Sequence, residues 1–68
     1  MSEEELRDKL TYLVNKYVSE NERKSFYGYI SREDVPVKGI LADFNKFKTR
    51  TVEQEDGDLI SNIYFHFC

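Results

Sequence analysis

The sequence predicts a small α+β domain in which two helices pack on one face of a short antiparallel sheet, in the order helix, strand, helix, β-hairpin. Three observations lead to this prediction. Apolar residues recur with helical spacing in two segments, and an aromatic, β-prone segment lies between them. After an Asp-Gly pair, the end of the chain alternates apolar and polar residues, which is typical of a hairpin. We therefore expect one domain over residues 1–68.

The first helix is predicted from about Glu3 to Glu20. Ser2 followed by Glu5 matches the capping-box pattern, in which the hydroxyl accepts a backbone N–H and the carboxylate reaches back. Apolar residues then recur along one helical face, namely Leu6, Leu10, Leu13, Val14, Tyr17 and Val18. We interpret the polar residues 19–24 as a connection.

Residues 25–30 are aromatic and short enough for a strand. A strand would place Tyr27 and Tyr29 on the face opposite Phe26. The alternative is a helical continuation, but Gly28 in its interior would cost about 1 kcal/mol relative to Ala. We therefore predict a short strand.

A second helix is predicted over residues 36–47, because Pro36 suits the first position of a helix. Its apolar residues fall on one helical face, namely Val37, Ile40, Leu41, Phe44 and Phe47. An extended segment, in which residues 40–45 alternate between two faces, is the alternative that fits fewer positions.

The last segment is predicted to be a hairpin. Residues 48–54 are β-prone, and Asp56-Gly57 favours a tight turn. Apolar and polar residues then alternate through residues 59–67, as in a half-buried strand.

Composition limits the classes of protein that this chain can belong to. It has 68 residues, a net charge of -3 and 40% hydrophobic residues, which is too apolar for a disordered tail. A chain this short buries only about 60% of its unfolded surface, so its core is thin. No stretch approaches the roughly 18 apolar residues of a membrane span, and the acidic residues 3–5 are the reverse of a secretory leader. With Cys68 as the only cysteine, we expect a cytoplasmic protein.

No motif nominates a catalytic, metal or cofactor site. The three glycines are isolated, so no phosphate-binding loop is present. His66 and Cys68 provide two metal ligands where zinc needs three or four, and the acidic residues 53–58 do not follow the EF-hand spacing. We expect a protein that is not an enzyme and carries no metal or cofactor.

The candidate binding residues are aromatic and acidic. On the open face of the predicted sheet we expect three tyrosines, Tyr27, Tyr29 and Tyr64. Exposed tyrosines are enriched in protein interfaces, because a rigid ring gives contact area at low entropic cost. Beside them we expect the acidic hairpin tip, formed by Glu55, Asp56 and Asp58. The alternative is that the tyrosines extend the core.

These features favour a non-catalytic protein-interaction module that binds another protein. The module would bind this protein either as a monomer or after forming a homodimer. Compact, acidic, disulfide-free chains are common among phage and mobile-element proteins that inhibit or modulate a host protein. The analogy rests on size and charge alone.

The alternative function is a winged-helix-like transcriptional regulator that contacts DNA. Its contacts would come from four basic residues, Lys38, Lys46, Lys48 and Arg50. Against it, the isoelectric point is about 5.0, whereas DNA-binding domains are typically basic. The sequence therefore favours protein binding over nucleic-acid binding.

Overall fold

The computed structural model describes residues 1–68 and shows a bundle of four α-helices. These are α1 (Glu3–Tyr17), α2 (Glu20–Ile30), α3 (Val37–Phe47) and α4 (Gln54–Phe67). The only β-type pairing is an isolated antiparallel bridge between Val18 and Lys48. The α+β prediction is therefore wrong, and neither the short strand nor the β-hairpin forms. None of the helices is long and apolar enough to cross a membrane.

The first helix is confirmed, although it ends at Tyr17 rather than Glu20. Ser2 caps it as predicted, since its hydroxyl accepts the backbone N–H of Glu5 at 3.1 Å. The chain turns at Val18, and residues 19–24 begin the next helix instead of forming a connection. Thr49 holds this turn, because its backbone N–H and its hydroxyl both donate to the carbonyl of Tyr17 at 2.8 Å.

The predicted strand over residues 25–30 is wrong, because this segment is the second half of α2. Phe26 and Ile30, four residues apart, are the buried residues of that helix. Burying each stabilises the fold by about 1.5–3 kcal/mol, which exceeds the cost of roughly 1 kcal/mol for a helical Gly28. Tertiary packing therefore overrides the local preference.

The second predicted helix is confirmed as α3, and the extended alternative is wrong. Pro36 immediately precedes the helix instead of being its first residue. The inward residues Val37, Ile40, Leu41 and Phe44 are buried.

The hairpin prediction fails at α4, where the Asp-Gly pair lies inside the first turns of a helix. Residues 56–67 satisfy two periods at once, because apolar residues stand both at alternate positions and at helical spacing. The helical period is realised, with Asp56 and Ile63 buried and Phe67 partly buried on the inner side. An isolated two-stranded hairpin is marginal in water, and without the predicted strand at 25–30 no third strand is available to it.

All four helices contribute to one core. It contains 13 buried residues, and α1 supplies the most, namely Leu6, Leu10, Leu13, Val14 and Tyr17. Tyr17 packs edge-on against Phe44 with ring centroids 5.7 Å apart, and Ile63 of α4 is fully buried. α1 therefore supplies more of the core than any other helix, while α2, α3 and α4 each also carry exposed aromatic residues on their outer sides.

Candidate functional site

The three tyrosines chosen from the sequence are exposed, but they do not share a face. Tyr27, Tyr29 and Tyr64 are 39%, 42% and 42% exposed. Tyr27 and Tyr29 are two residues apart on α2, so helical rotation places them on opposite sides. A single tyrosine surface therefore does not form, because the sheet that would have aligned these residues is absent.

Each tyrosine belongs to a different part of the surface. The Tyr27 hydroxyl donates to Oδ1 of Asn15, which ties α2 to α1. Tyr29 lines a cavity of about 230 Å³ together with Pro36, Gly39 and Asp43 at the beginning of α3. Tyr64 is the one of these three tyrosines that belongs to α4.

Tyr64 lines an apolar groove between α3 and α4. The groove has a volume of about 210 Å³, and six of its seven residues are apolar or aromatic. They are Leu41, Ala42, Phe44, Val52, Ile60 and Tyr64, with Asn45 as the seventh. We call this the α3–α4 groove.

Phe65 is the large apolar side chain that contacts solvent most, with 84% of it exposed. It follows Tyr64 directly and is two residues from the fully buried Ile63, so it projects from the opposite side of α4 to the core. Its ring pairs edge-on with that of the neighbouring His66, with centroids 5.4 Å apart. The strand interpretation hid this feature, because it gave Phe65 the same buried face as Ile63.

The predicted acidic tip divides into exposed and buried members. Glu55 and Asp58 are exposed in the first turns of α4. Asp56 is only 4% exposed and turns toward α1, so its prediction as a partner-binding residue is not supported by its position.

Asp56 is the centre of a polar cluster that joins α4 to α1. Its carboxylate accepts from the Tyr12 hydroxyl at 2.9 Å and from the Tyr17 hydroxyl at 2.5 Å. Lys16 pairs with it at 2.8 Å, and Glu53 lies 3.3 Å from the same ammonium. We call these five residues the Asp56 cluster.

Electrostatics keep the Asp56 cluster charged. The Lys16 ammonium, followed by the two tyrosine hydroxyls, lowers the pKa of Asp56 to about 2, although burial opposes this. Asp56 in turn raises the pKa of Lys16, while burial is the main cause that raises the pKa of Tyr17. Arg50 first and Lys16 second lower the pKa of Glu53.

The cluster's geometry is that of a structural link. The Tyr17 hydroxyl donates to Asp56 and accepts the backbone N–H of Glu53 at 3.0 Å. No buried side-chain nitrogen or oxygen lacks a hydrogen-bond partner. The groups of the cluster are therefore occupied by one another rather than directed at a substrate. No group of three or more His, Cys, Asp and Glu residues is placed to hold a metal ion.

Three of the four basic residues predicted to contact DNA make contacts within the chain itself. Lys38 and Lys46 are exposed on α3, with the Lys46 ammonium 5.6 Å from the centre of the Phe47 ring. Lys48 donates to Oδ1 of Asn45 at 2.5 Å. Arg50 lies over the Tyr17 ring at 4.6 Å and pairs with Glu53 at 3.1 Å. No hairpin wing carries them toward a duplex.

The chain matches no protein-family model, no curated protein and no solved structure.

Proposed function

We propose that this chain is a small protein-interaction module whose binding surface lies at the end of α4. The surface, called the α4 surface below, consists of Phe65, Tyr64 and the adjoining α3–α4 groove. Of the residues chosen from the sequence it retains Tyr64, while Tyr27 and Tyr29 lie elsewhere. Its partner is another protein.

The observation that carries the proposal is the exposure of Phe65. A phenylalanine that is 84% exposed contributes little packing to its own fold, whereas burial against a partner gains about 1.5–3 kcal/mol. Aromatic side chains of this kind are common anchors in protein interfaces. The neighbouring groove adds concave apolar area, so the surface is suited to an amphipathic segment of the partner.

The charge distribution supports the same assignment. Residues 53–68 carry four acids and no lysine or arginine. Glu55 and Asp58 are exposed at the beginning of α4, on the helix that carries Phe65. We expect the partner to present apolar residues flanked by basic ones. By the analogy of size and charge, the module inhibits or modulates that partner.

The test compares capture of partners by three tagged forms of the full chain in a lysate of the source organism. Phe65→Ser removes the aromatic group, and Tyr29→Ser is the matched control on another face with 42% exposure. We expect wild type and Tyr29→Ser to retain a common protein that Phe65→Ser loses. With that protein purified, calorimetry should give an affinity about thirtyfold weaker for Phe65→Ser. Equal binding by all three forms would contradict the proposal.

A further inference from the structure

A carboxylate-rimmed cavity of about 240 Å³ forms where the beginning of α1, the α2–α3 connection and the last turn of α4 meet. Its apolar wall consists of Leu6, Val35, Val37 and Phe67. Its carboxylates belong to Glu3, Glu33 and Asp34. Pockets for whole small molecules are about 300–1,000 Å³, so this cavity is sized for a single side chain.

Arg7 holds the rim of this cavity in place. Its guanidinium donates to the carbonyl of Ile30 at 3.1 Å and to that of Arg32 at 2.6 Å, with a longer contact to Glu33 at 3.4 Å. It also pairs with the Glu3 carboxylate at 2.8 Å. The α2–α3 connection is therefore fixed to α1 before any ligand arrives, which lowers the entropic cost of binding.

The rim retains negative charge after these contacts are made. Arg7 neutralises Glu3, while Glu33 and Asp34 take part in none of the four ion pairs of the chain. No basic residue lines the cavity. Two unpaired carboxylates thus stand beside an apolar wall.

We propose that this cavity binds the side chain of a lysine from the partner polypeptide. Lysine combines an aliphatic stem, which packs on the wall formed by Leu6, Val37 and Phe67, with an ammonium that reaches the carboxylates at the rim. Phe65 and Phe67 lie in the same last turn of α4 but project from opposite sides of it. The lysine therefore comes from a part of the partner that continues around the end of this helix from the α4 surface. This inference rests on the proposed function in one respect, namely that the lysine belongs to the partner protein.

The test is an NMR titration of the full chain with the peptide acetyl-Leu-Lys-Leu-amide. We expect saturable shifts of the Val35, Val37 and Phe67 amides with a dissociation constant of roughly 1 mM. The peptide acetyl-Leu-Gln-Leu-amide should bind about threefold more weakly than the lysine peptide. Addition of about 0.5 M NaCl should weaken the binding of the lysine peptide by a similar factor.

Two double variants test whether the carboxylates at the rim of the cavity bind the lysine ammonium. The double variant Glu33→Gln/Asp34→Asn should lose about threefold in affinity for the lysine peptide. Glu55→Gln/Asp58→Asn removes two carboxylates from exposed positions outside this cavity, so it should bind the peptide as wild type does. Absence of saturable shifts, an equal response to the glutamine peptide, or equal losses in the two double variants would overturn the inference.

Phe65→Ser separates this inference from the proposed function. The cavity does not include Phe65, so the variant should bind the lysine peptide normally while it loses the partner. If Phe65→Ser still captures the partner while the lysine-peptide titration gives saturable shifts, the proposed function fails and the cavity assignment stands. If the titration fails while Phe65→Ser loses the partner, only the cavity assignment is overturned.

Discussion

Asp56 is the one charged residue in the interior of the bundle, and Tyr12, Lys16 and Tyr17 of α1 surround its carboxylate. In the sequence it belongs to an Asp-Gly pair, which favours an exposed turn when only neighbouring residues are considered. Tyr17 precedes it by 39 positions, so local spacing carries no sign of the contact. These contacts to Asp56 fix α4 against α1, because a buried carboxylate is tolerated only with its partners in place.

Replacing Asp56 should therefore be costly. Asp56→Asn leaves the Lys16 ammonium without its main partner, and we expect a loss of roughly 3 kcal/mol in the free energy of unfolding at neutral pH. Urea denaturation followed by circular dichroism measures it. Asp58→Asn, an exposed change on the same helix, should alter stability by no more than about 0.5 kcal/mol.

The cost of Asp56→Asn should also depend on pH. The folded carboxyl has a pKa of about 2 and the unfolded one has a pKa of about 3.9, so between these values the unfolded state binds more protons. The stabilisation is complete above about pH 5 and declines as the pH falls toward 2. The stability difference between wild type and Asp56→Asn should shrink over that range, and a difference that stays constant would exclude the ion pair as its source.

At the scale of the helix, α2 and α4 show why periodicity alone was insufficient. In α2 a glycine and several aromatic residues favoured a strand, yet Phe26 and Ile30 fit the helical spacing equally well. In α4 both periods were present, and the buried positions of Asp56 and Ile63 decide for the helix. α1 and α3 were predicted because their apolar residues fall on one helical face, and for α3 the helical spacing fits more positions than the extended alternative.

Gly28, whose cost in a helix favoured the strand prediction, provides a test of α2. Gly28 has a negative φ, and a Cβ added there would have no heavy atom within 4 Å. Gly28→Ala should therefore raise the free energy of unfolding by about 0.5–1 kcal/mol, because alanine loses less backbone entropy in a helix. Gly39→Ala in the confirmed helix α3, with equally open space, is the matched positive control. Destabilisation by Gly28→Ala alone would contradict the helix.

The α4 helix also determines which site residues could be found from the sequence. Tyr64 was chosen for its aromatic character, and it remains in the proposed surface. Phe65 was missed, because in a strand it shares the inner face with Ile63, whereas a helix turns it to the opposite side. A helical wheel of residues 54–67 would have placed Phe65 on the outer face, but drawing one requires that the helix be predicted first.

At the scale of the whole molecule, one core serves all four helices. α4 contributes Ile63 as its fully buried apolar residue, and α1 contributes five buried residues. The segments are short, and helices of about 12 residues are marginal on their own in water. Each helix therefore depends on the others for its stability, and the protein should fold as one cooperative unit.

Ile63→Ala tests this cooperativity. We expect it to lower the free energy of unfolding by about 2–5 kcal/mol, the range for truncating a buried isoleucine. The loss should appear as one transition, with coincident curves for helical circular dichroism and tyrosine fluorescence. Early loss of part of the helical signal, before the tyrosine signal changes, would show instead that α4 unfolds separately.

The sequence by itself determined the two helices with one dominant period, the Ser2 cap and the absence of any long apolar span. These features are local, since they depend on residues within one or two turns of each other. Only the tertiary structure decided that residues 25–30 and 54–67 are helical, that Asp56 is buried and that Phe65 faces solvent. The reason is physical: both conformations suit these segments locally, and the free energy that selects between them comes from burial against side chains far away in the chain.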